Sequence, residues 1–151
     1  YDKNILEIDA GYSINYKEVT MEFYGPIRNY EKTNNNSLVF KLAYFNNEVL
    51  FTGDIEKEAE IDIANSYGSI LKSNILKVAH HGSNTSTNKE ILEYIKPEFA
   101  IISLGKNNKY GFPNSLVLKN LYEEKTKIYR TDYDTTIIYK DNIFYKCYEK
   151  G

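Results

Sequence analysis

The chain has two histidines, and they stand side by side in His80-His81-Gly82-Ser83 at the end of an apolar run. Neutral imidazole is the common protein ligand for zinc, manganese and iron, and its second ring nitrogen needs an orienting partner. Alternation along a strand would send one ring inward and the other outward, but Gly82 lets the backbone turn so that both can face one rim. The other reading is one buried, hydrogen-bonded histidine beside an exposed one. Asp54, in Thr52-Gly53-Asp54, also has two readings. It suits the N-cap of a following helix, and at the end of a neighbouring strand its carboxylate could share a cation with an imidazole. A carboxylate bridging two metals leaves a water between them that is a hydroxide near neutral pH. Ser83 lies outside any G-x-S-x-G elbow, so its hydroxyl reads as a loop or phosphate hydrogen bond and not as a nucleophile. Asn34-Asn35-Asn36-Ser37 and the loop at 105–113, with Lys106, Asn107, Asn108, Lys109 and Tyr110, could form an anion-binding edge or merely solvated turns. Neither a G-x-x-x-x-G-K-[ST] loop nor a G-x-G-x-x-G is present, which argues against the nucleotide-binding folds built on them.

These groups need elements that hold them together. Up to about Thr52 the pattern is β: 5–8, then 19–24 ended by Gly25-Pro26, then 37–45, where Leu38, Phe40 and Leu42 alternate with Val39, Lys41 and Ala43. Asn46-Asn47 is expected to turn the chain into 48–51, because Asn tolerates positive φ. This predicts an antiparallel meander. After Gly53 the period becomes helical, with Ile55, Ala59, Ile63 and Ala64 set against a Glu/Lys/Asp face over 55–67 and Asp54 as the expected cap. A short apolar strand at 75–79 runs into the histidines. The next helix has Thr87 and Glu90 spaced as a capping box, Ile91, Leu92 and Ile95 inward, and a stop before Pro97. The strand at 99–104 is apolar throughout, as when both faces of a sheet are covered. A third helix at 115–125, strands at 128–130 and 135–139, and an Asp141-Asn142 turn into 143–148 complete a βαβαβαβ pattern with a final hairpin. In such a sheet the carboxyl ends of the strands gather on one rim, where ligands bind. All four polar clusters fall there.

With 151 residues and 17.6 kDa, 42% apolar and 26% charged, the chain suits one globular domain that buries about 70% of its unfolded surface. A net charge of −2 supplies no positive field for phosphate backbones, so nucleic acid would need a local holder such as a metal. The single cysteine, Cys147, excludes an internal disulfide and a cysteine-based zinc cage. Fifteen tyrosines, spread over the strands, read as sheet packing and not as a base-stacking set. No apolar run approaches the roughly 18 residues of a membrane span, so a soluble piece is expected. The chain opens on Tyr1, at what reads as the approach to a strand, so a segment of something longer is expected.

Five stretches carry a resemblance: Asn-Asn-Asn-Ser-Leu-Val at 34–39, Leu-Phe-Thr-Gly-Asp at 50–54, Leu-Lys-Val-Ala-His-His-Gly-Ser at 76–83, Ile-Ile-Ser-Leu-Gly-Lys-Asn-Asn-Lys-Tyr-Gly at 101–111 and Tyr-Arg-Thr-Asp at 129–132. In order and spacing the sequence resembles the metallo-β-lactamase-fold domain at the C-terminal end of ComEC-type DNA-uptake competence proteins. Secreted choline-binding phosphorylcholine esterases share the motifs less completely. The resemblance implies an α/β fold, the metallo-β-lactamase-like αββα sandwich, of which residues 1–151 would be a partial domain: mainly the C-terminal half plus adjoining strands. It implies a metal-dependent phosphodiester hydrolase, nuclease-like, with two divalent cations, Zn or Mn, in the complete domain. Asp54 would be the bridging metal ligand and His80 the last ligand, with His81 donating a proton or holding phosphate, or the two histidines exchanged. Asn36 stands where many enzymes of the fold place another histidine ligand. Ser83 would assist catalysis, and Lys106, Asn107, Asn108 and Tyr110 would bind substrate. The implied partners are DNA being taken up and the membrane-embedded remainder of a parent protein, which places the domain outside the cytoplasm beside a bacterial membrane channel.

The sequence departs from the family pattern in two ways. The H-x-H-x-D-H or H-x-D-x-D-H cluster that supplies most ligands would lie upstream and is not in this chain, and the usual Tyr-Gly-His-Pro is Tyr110-Gly111-Phe112-Pro113. The piece is therefore expected to be inactive alone and, with one sheet missing, to expose an apolar face that invites a homodimer. The competing functions are a non-catalytic DNA-binding or scaffolding module with a degenerate site, and a secreted metallo-hydrolase of small phosphoesters.

Overall fold

A computed structural model describes residues 7–147. The β-rich opening forms the strands β1 (Ser13–Tyr16), β2 (Val19–Gly25), β3 (Val39–Tyr44) and β4 (Asn47–Phe51), each antiparallel to the one before. From β4 the sheet continues parallel through β5 (Ile75–Lys77), β6 (Phe99–Ile102) and β7 (Lys127–Arg130). The helices α1 (Lys57–Tyr67), α2 (Lys89–Ile95) and α3 (Ser115–Glu123) are the crossovers. Among the described residues one sheet runs in the order β1-β2-β3-β4-β5-β6-β7, and β8 (Thr136–Lys140) and β9 (Ile143–Cys147) form a separate hairpin. The expected meander and βαβ series are both present.

Helix period and strand alternation meet on one side of this sheet. Ala59, Ile63 and Ala64 of α1, Ile91, Leu92 and Ile95 of α2, and Val117 and Leu121 of α3 form one buried cluster with Val39, Leu50, Leu76, Ala100 and Ile102. Register then puts Phe40, Phe51, Lys77, Ile101 and Tyr129 in one row on the opposite side, away from α1, α2 and α3 and helix-free among the described residues. There Phe40 stacks on Phe51 with centroids 4.8 Å apart. The β8–β9 hairpin covers part of this side through Phe144, which lies 4.8 Å from Phe99 and 4.3 Å from Tyr129. The second cover expected over 99–104 is therefore this hairpin, among the described residues.

Several local expectations are corrected. Of the strand expected at 5–8, residues 5 and 6 lie outside the described residues, and Glu7 and Ile8 belong to no strand. β1 is a strand only through its pairing with β2, since all four of its residues lie exposed at the sheet edge. The β3–β4 turn is Phe45-Asn46, not Asn46-Asn47, and Phe45 takes the positive φ of 50°. Pairing Phe40 with Phe51 and Leu42 with Val49 decides this, because a one-residue slip would send both apolar pairs to the other face. Asp54 does not cap α1: Glu56 holds the cap position without a side-chain cap bond, and its N–H donates to Asn35 Oδ1 at 2.7 Å. Thr87 does not cap α2 either. Asn88 does, with Oδ1 accepting from Ile91 N at 3.2 Å, while Thr87 N donates to Glu60.

Glu60 sits on the stripe of α1 read as solvated, yet it is 1% exposed. Its carboxylate accepts from Thr87 N, from Asn88 N at 3.0 Å and from Asn88 Nδ2 at 2.6 Å, and so ties α1 to the start of α2. Burial pushes its pKa up from 4.5 to about 7 against the backbone N–H groups that hold it down. Between those values the folded chain keeps a proton that the unfolded chain has released, so stability falls as pH rises from 4.5 to about 7 and is flat above. Urea unfolding at pH 5 and pH 7.5 is expected to show this loss in the natural chain and not in Glu60→Gln. Glu60→Ala, which orphans buried N–H groups, is expected to cost about 2–4 kcal/mol.

Candidate functional site

The parallel register of β4, β5 and β6 brings the Asp54 loop, the histidine pair and the 103–113 loop to one rim. Gly53 turns with φ 53°, and a Cβ there would lie 2.6 Å from the Cβ of Ser37. Ser37 Oγ accepts from Asp54 N at 3.2 Å, and Gly53 O accepts from His80 N at 3.1 Å. Thr52 Oγ1 donates to Lys77 O at 2.7 Å. The carboxylate loop is thus stitched on one side to the chain entering β3 and on the other to the histidine loop.

Both histidines lie in the left-handed region, His80 at φ 45° and His81 at φ 54°, a conformation that side chains other than glycine adopt sparingly and at a cost of about 1–3 kcal/mol each. Gly82 follows at φ 83° against Pro113, and its carbonyl accepts from Asn114 N at 2.8 Å. The turn does not bring the two rings together. His81 Nδ1 lies 2.6 Å from Ser103 O; a carbonyl only accepts, so Nδ1 carries a proton, and in the neutral imidazole Nε2 presents a lone pair. That Nε2 lies 3.8 Å from Asp54 Oδ1, beyond a hydrogen bond and short enough for one cation, at about 2.0–2.2 Å from each ligand atom, to touch both. His80 turns instead to Glu56, with Nδ1 3.9 Å from Oε1, and meets Phe112 edge-on at 5.9 Å. His80 Nδ1 is buried and has no hydrogen-bond partner. Lys32, at 2.6 Å, holds the Glu56 carboxyl below the usual carboxylate range.

The other expected residues are spread more widely. Asn36 accepts from Tyr30 N and donates to Tyr30 O, both at 2.9 Å, so its amide clamps its own loop. Ser83 is buried and shares a hydrogen bond with Thr85 Oγ1 at 3.0 Å. Asn108 donates to Phe112 O at 2.8 Å and accepts from Phe112 N at 2.9 Å, which folds the 103–113 loop upon itself. Lys106, Asn107 and Tyr110 are exposed. A cavity of 340 Å³ opens beside His81, lined also by Ser103, Gly105, Asn108, Tyr110 and Phe112.

Two residues near the site escape the sequence reading. Lys77 breaks the apolar run before the histidines, and that break is its only signal. It stands between Phe51 and Ile101 on the helix-free side and donates to Val78 O at 3.0 Å. Burial pushes its pKa down, and the Asp54 carboxylate opposes that shift. Glu56 gives no signal beyond being one of several acidic residues around the start of α1. Among the described residues no three His, Cys, Asp or Glu side chains gather as a group that could hold a metal ion. The donors at hand are one Asp54 carboxylate oxygen and one His81 imidazole nitrogen, a pair that suits one side of a divalent-cation site and no more.

No family model matches the chain. It is similar to ComE operon protein 3 of Bacillus subtilis, 42% identical over 107 residues that cover 71% of this chain and 14% of that protein. It is 38% identical over 98 residues to Recombination protein 2 of Haemophilus influenzae, covering 65% and 12%. With Competence protein ComA of Neisseria gonorrhoeae it shares 34% over 99 residues, covering 66% and 14%. These similarities indicate a competence-associated family, and the matched region spans 12–14% of the length of these relatives. Among the described residues no helix is long and apolar enough to cross a membrane.

Gly82→Ala tests whether the rim is braced as described, since its Cβ would meet Pro113 Cβ at 2.6 Å with φ at 83°. A loss of about 2–3 kcal/mol in urea unfolding is expected, against less than about 1 kcal/mol for Gly105→Ala, where a Cβ meets nothing within 4 Å.

Proposed function

We propose that this chain supplies one wall of a metal-dependent hydrolytic site for phosphodiester bonds, within a metallo-β-lactamase-type αββα domain of a DNA-uptake competence protein. The observation that carries the reading is the Asp54 Oδ1 to His81 Nε2 approach of 3.8 Å, with the His81 ring oriented from behind by Ser103 O. The geometry favours His81 over His80 as the imidazole that shares a cation with Asp54. His80, with its unpartnered Nδ1, faces Glu56 instead. Bound divalent cations would neutralise the phosphate charge and lower the pKa of an attacking water. The chain's own groups then orient and hold: Ser103 O fixes the His81 tautomer, Lys77 supplies a cation beside Asp54, and Asn108 and Tyr110 line the cavity on a loop whose Lys106 and Asn107 are exposed.

The helix-free face supports the sandwich. Phe23 lies 5.4 Å from Phe40 and Phe40 stacks on Phe51. A groove of 660 Å³ also runs between the β3–β4 turn and the β8–β9 hairpin, lined in part by Leu42, Phe45, Val49 and Tyr139. An apolar sheet face of this kind fits a second sheet packed about 10 Å away. The parent would present the domain outside the cytoplasm, beside a membrane channel, to incoming DNA.

Phe112 favours a second reading, a non-catalytic DNA-binding module, because its ring lies against His80 where the family carries a histidine. Metal content separates the two. In the longer protein that the first reading requires, with roughly 100 preceding residues restored, the domain is expected to bind Zn or Mn. Asp54→Ala and His81→Ala are expected to lower bound metal and to cut DNA turnover by about 100-fold or more. Metal binding and turnover untouched by both substitutions would overturn the hydrolase reading, and DNA binding without metal would establish the second.

A further inference from the structure

Across 103–113 the chain carries two lysines and no carboxylate, and its aromatic rings gather beside His81. Tyr110 is 69% exposed and stacks on Phe112, with centroids 5.7 Å apart and planes 22° from parallel. Phe112 is held from behind, by the His80 ring on one side and by the Asn108 carboxamide, whose Nδ2 donates to its carbonyl and whose Oδ1 accepts from its N–H. Lys109 Nζ lies 5.5 Å from the Tyr110 centroid, which puts an ammonium beside the same ring. A large ring left in water on a braced loop, backed by a second ring and with an ammonium beside it, is the arrangement that receives a flat, anionic-backboned ligand.

We propose that Tyr110, backed by Phe112 and flanked by Lys109, is a stacking platform for an unpaired nucleobase, so that the cavity beside His81 takes single-stranded nucleic acid and not intact duplex. The inference rests on the nucleic-acid reading of the site and names its substrate class. A duplex keeps the faces of its bases stacked inside and offers Tyr110 only backbone and groove edges. An unpaired base offers a free π-face, with its backbone beside the Lys109 ammonium.

The chain contains no tryptophan, so Tyr110→Trp keeps a stacking ring and makes it the single indole reporter. The experiment titrates this variant in EDTA with an oligothymidylate of about 12 nucleotides, a length within the range of single-strand binding sites, and with a duplex of the same length. Fluorescence anisotropy of labelled strands gives the affinities of the natural chain, Tyr110→Phe and Tyr110→Ala. Saturable quenching by the single strand alone is expected, with Tyr110→Ala weakening single-strand binding about tenfold or more and Tyr110→Phe close to the natural chain. Equal quenching by the duplex, affinity unchanged in Tyr110→Ala, or no single-strand binding by the natural chain would each overturn the platform. Because EDTA removes divalent cations, the outcome is independent of the Asp54→Ala metal test, and each reading can fail while the other stands.

Discussion

The parallel pairing of β4, β5 and β6 is the constraint on which the site depends. Val49 is level with Ile75, and Ile75 with Phe99, so the three strands end together and their exits become neighbours. Hydrogen bonds lock that adjacency: His80 N to Gly53 O, Val78 N to Ile101 O, and the His81 ring to Ser103 O. A one-residue slip of β5 would carry Leu76 out of the helix-side core, bury the Lys77 ammonium in its place, and turn the histidine loop away from Asp54. Burial of the core therefore sets the registry of the polar rim.

The two faces of the sheet do different work. The helix side is a closed apolar core, and Glu60 enters it with its carboxylate held by Thr87 and Asn88. The other side is aromatic and only partly roofed by the β8–β9 hairpin. The rim lies where the two meet, and much of its polarity is bracing. Asn35 takes the N–H of Glu56, Asn36 clamps Tyr30, and Asn108 closes its own loop. What is left open toward solvent is a short set: Asp54, His81, and the Tyr110 side of the cavity.

The turns of this rim leave little room for other side chains. Its turns rest on residues with a steric reason to be there. Gly53 faces Ser37, Gly82 faces Pro113, and both have positive φ, so these glycines accept no side chain without displacing a neighbour.

The sequence by itself determined the order of the main elements from β2 onward, the switch from antiparallel meander to parallel βαβ units, and the inward residues of the three helices, because period and apolar burial are local signals. It also placed Asp54, His80 and His81 on one rim, since strand ends in such a sheet share an edge. Only the tertiary structure decided which histidine meets the carboxylate. Two successive left-handed residues rotate the rings apart, and Ser103, more than twenty positions away, captures one of them. It also decided which residues cap α1 and α2, because donors near a helix start go to whichever acceptor packing brings closest, here Asn35 and Glu60. Lys77 and Glu56 became site neighbours for the same reason: proximity across strands is a property of register, which no single stretch of sequence contains.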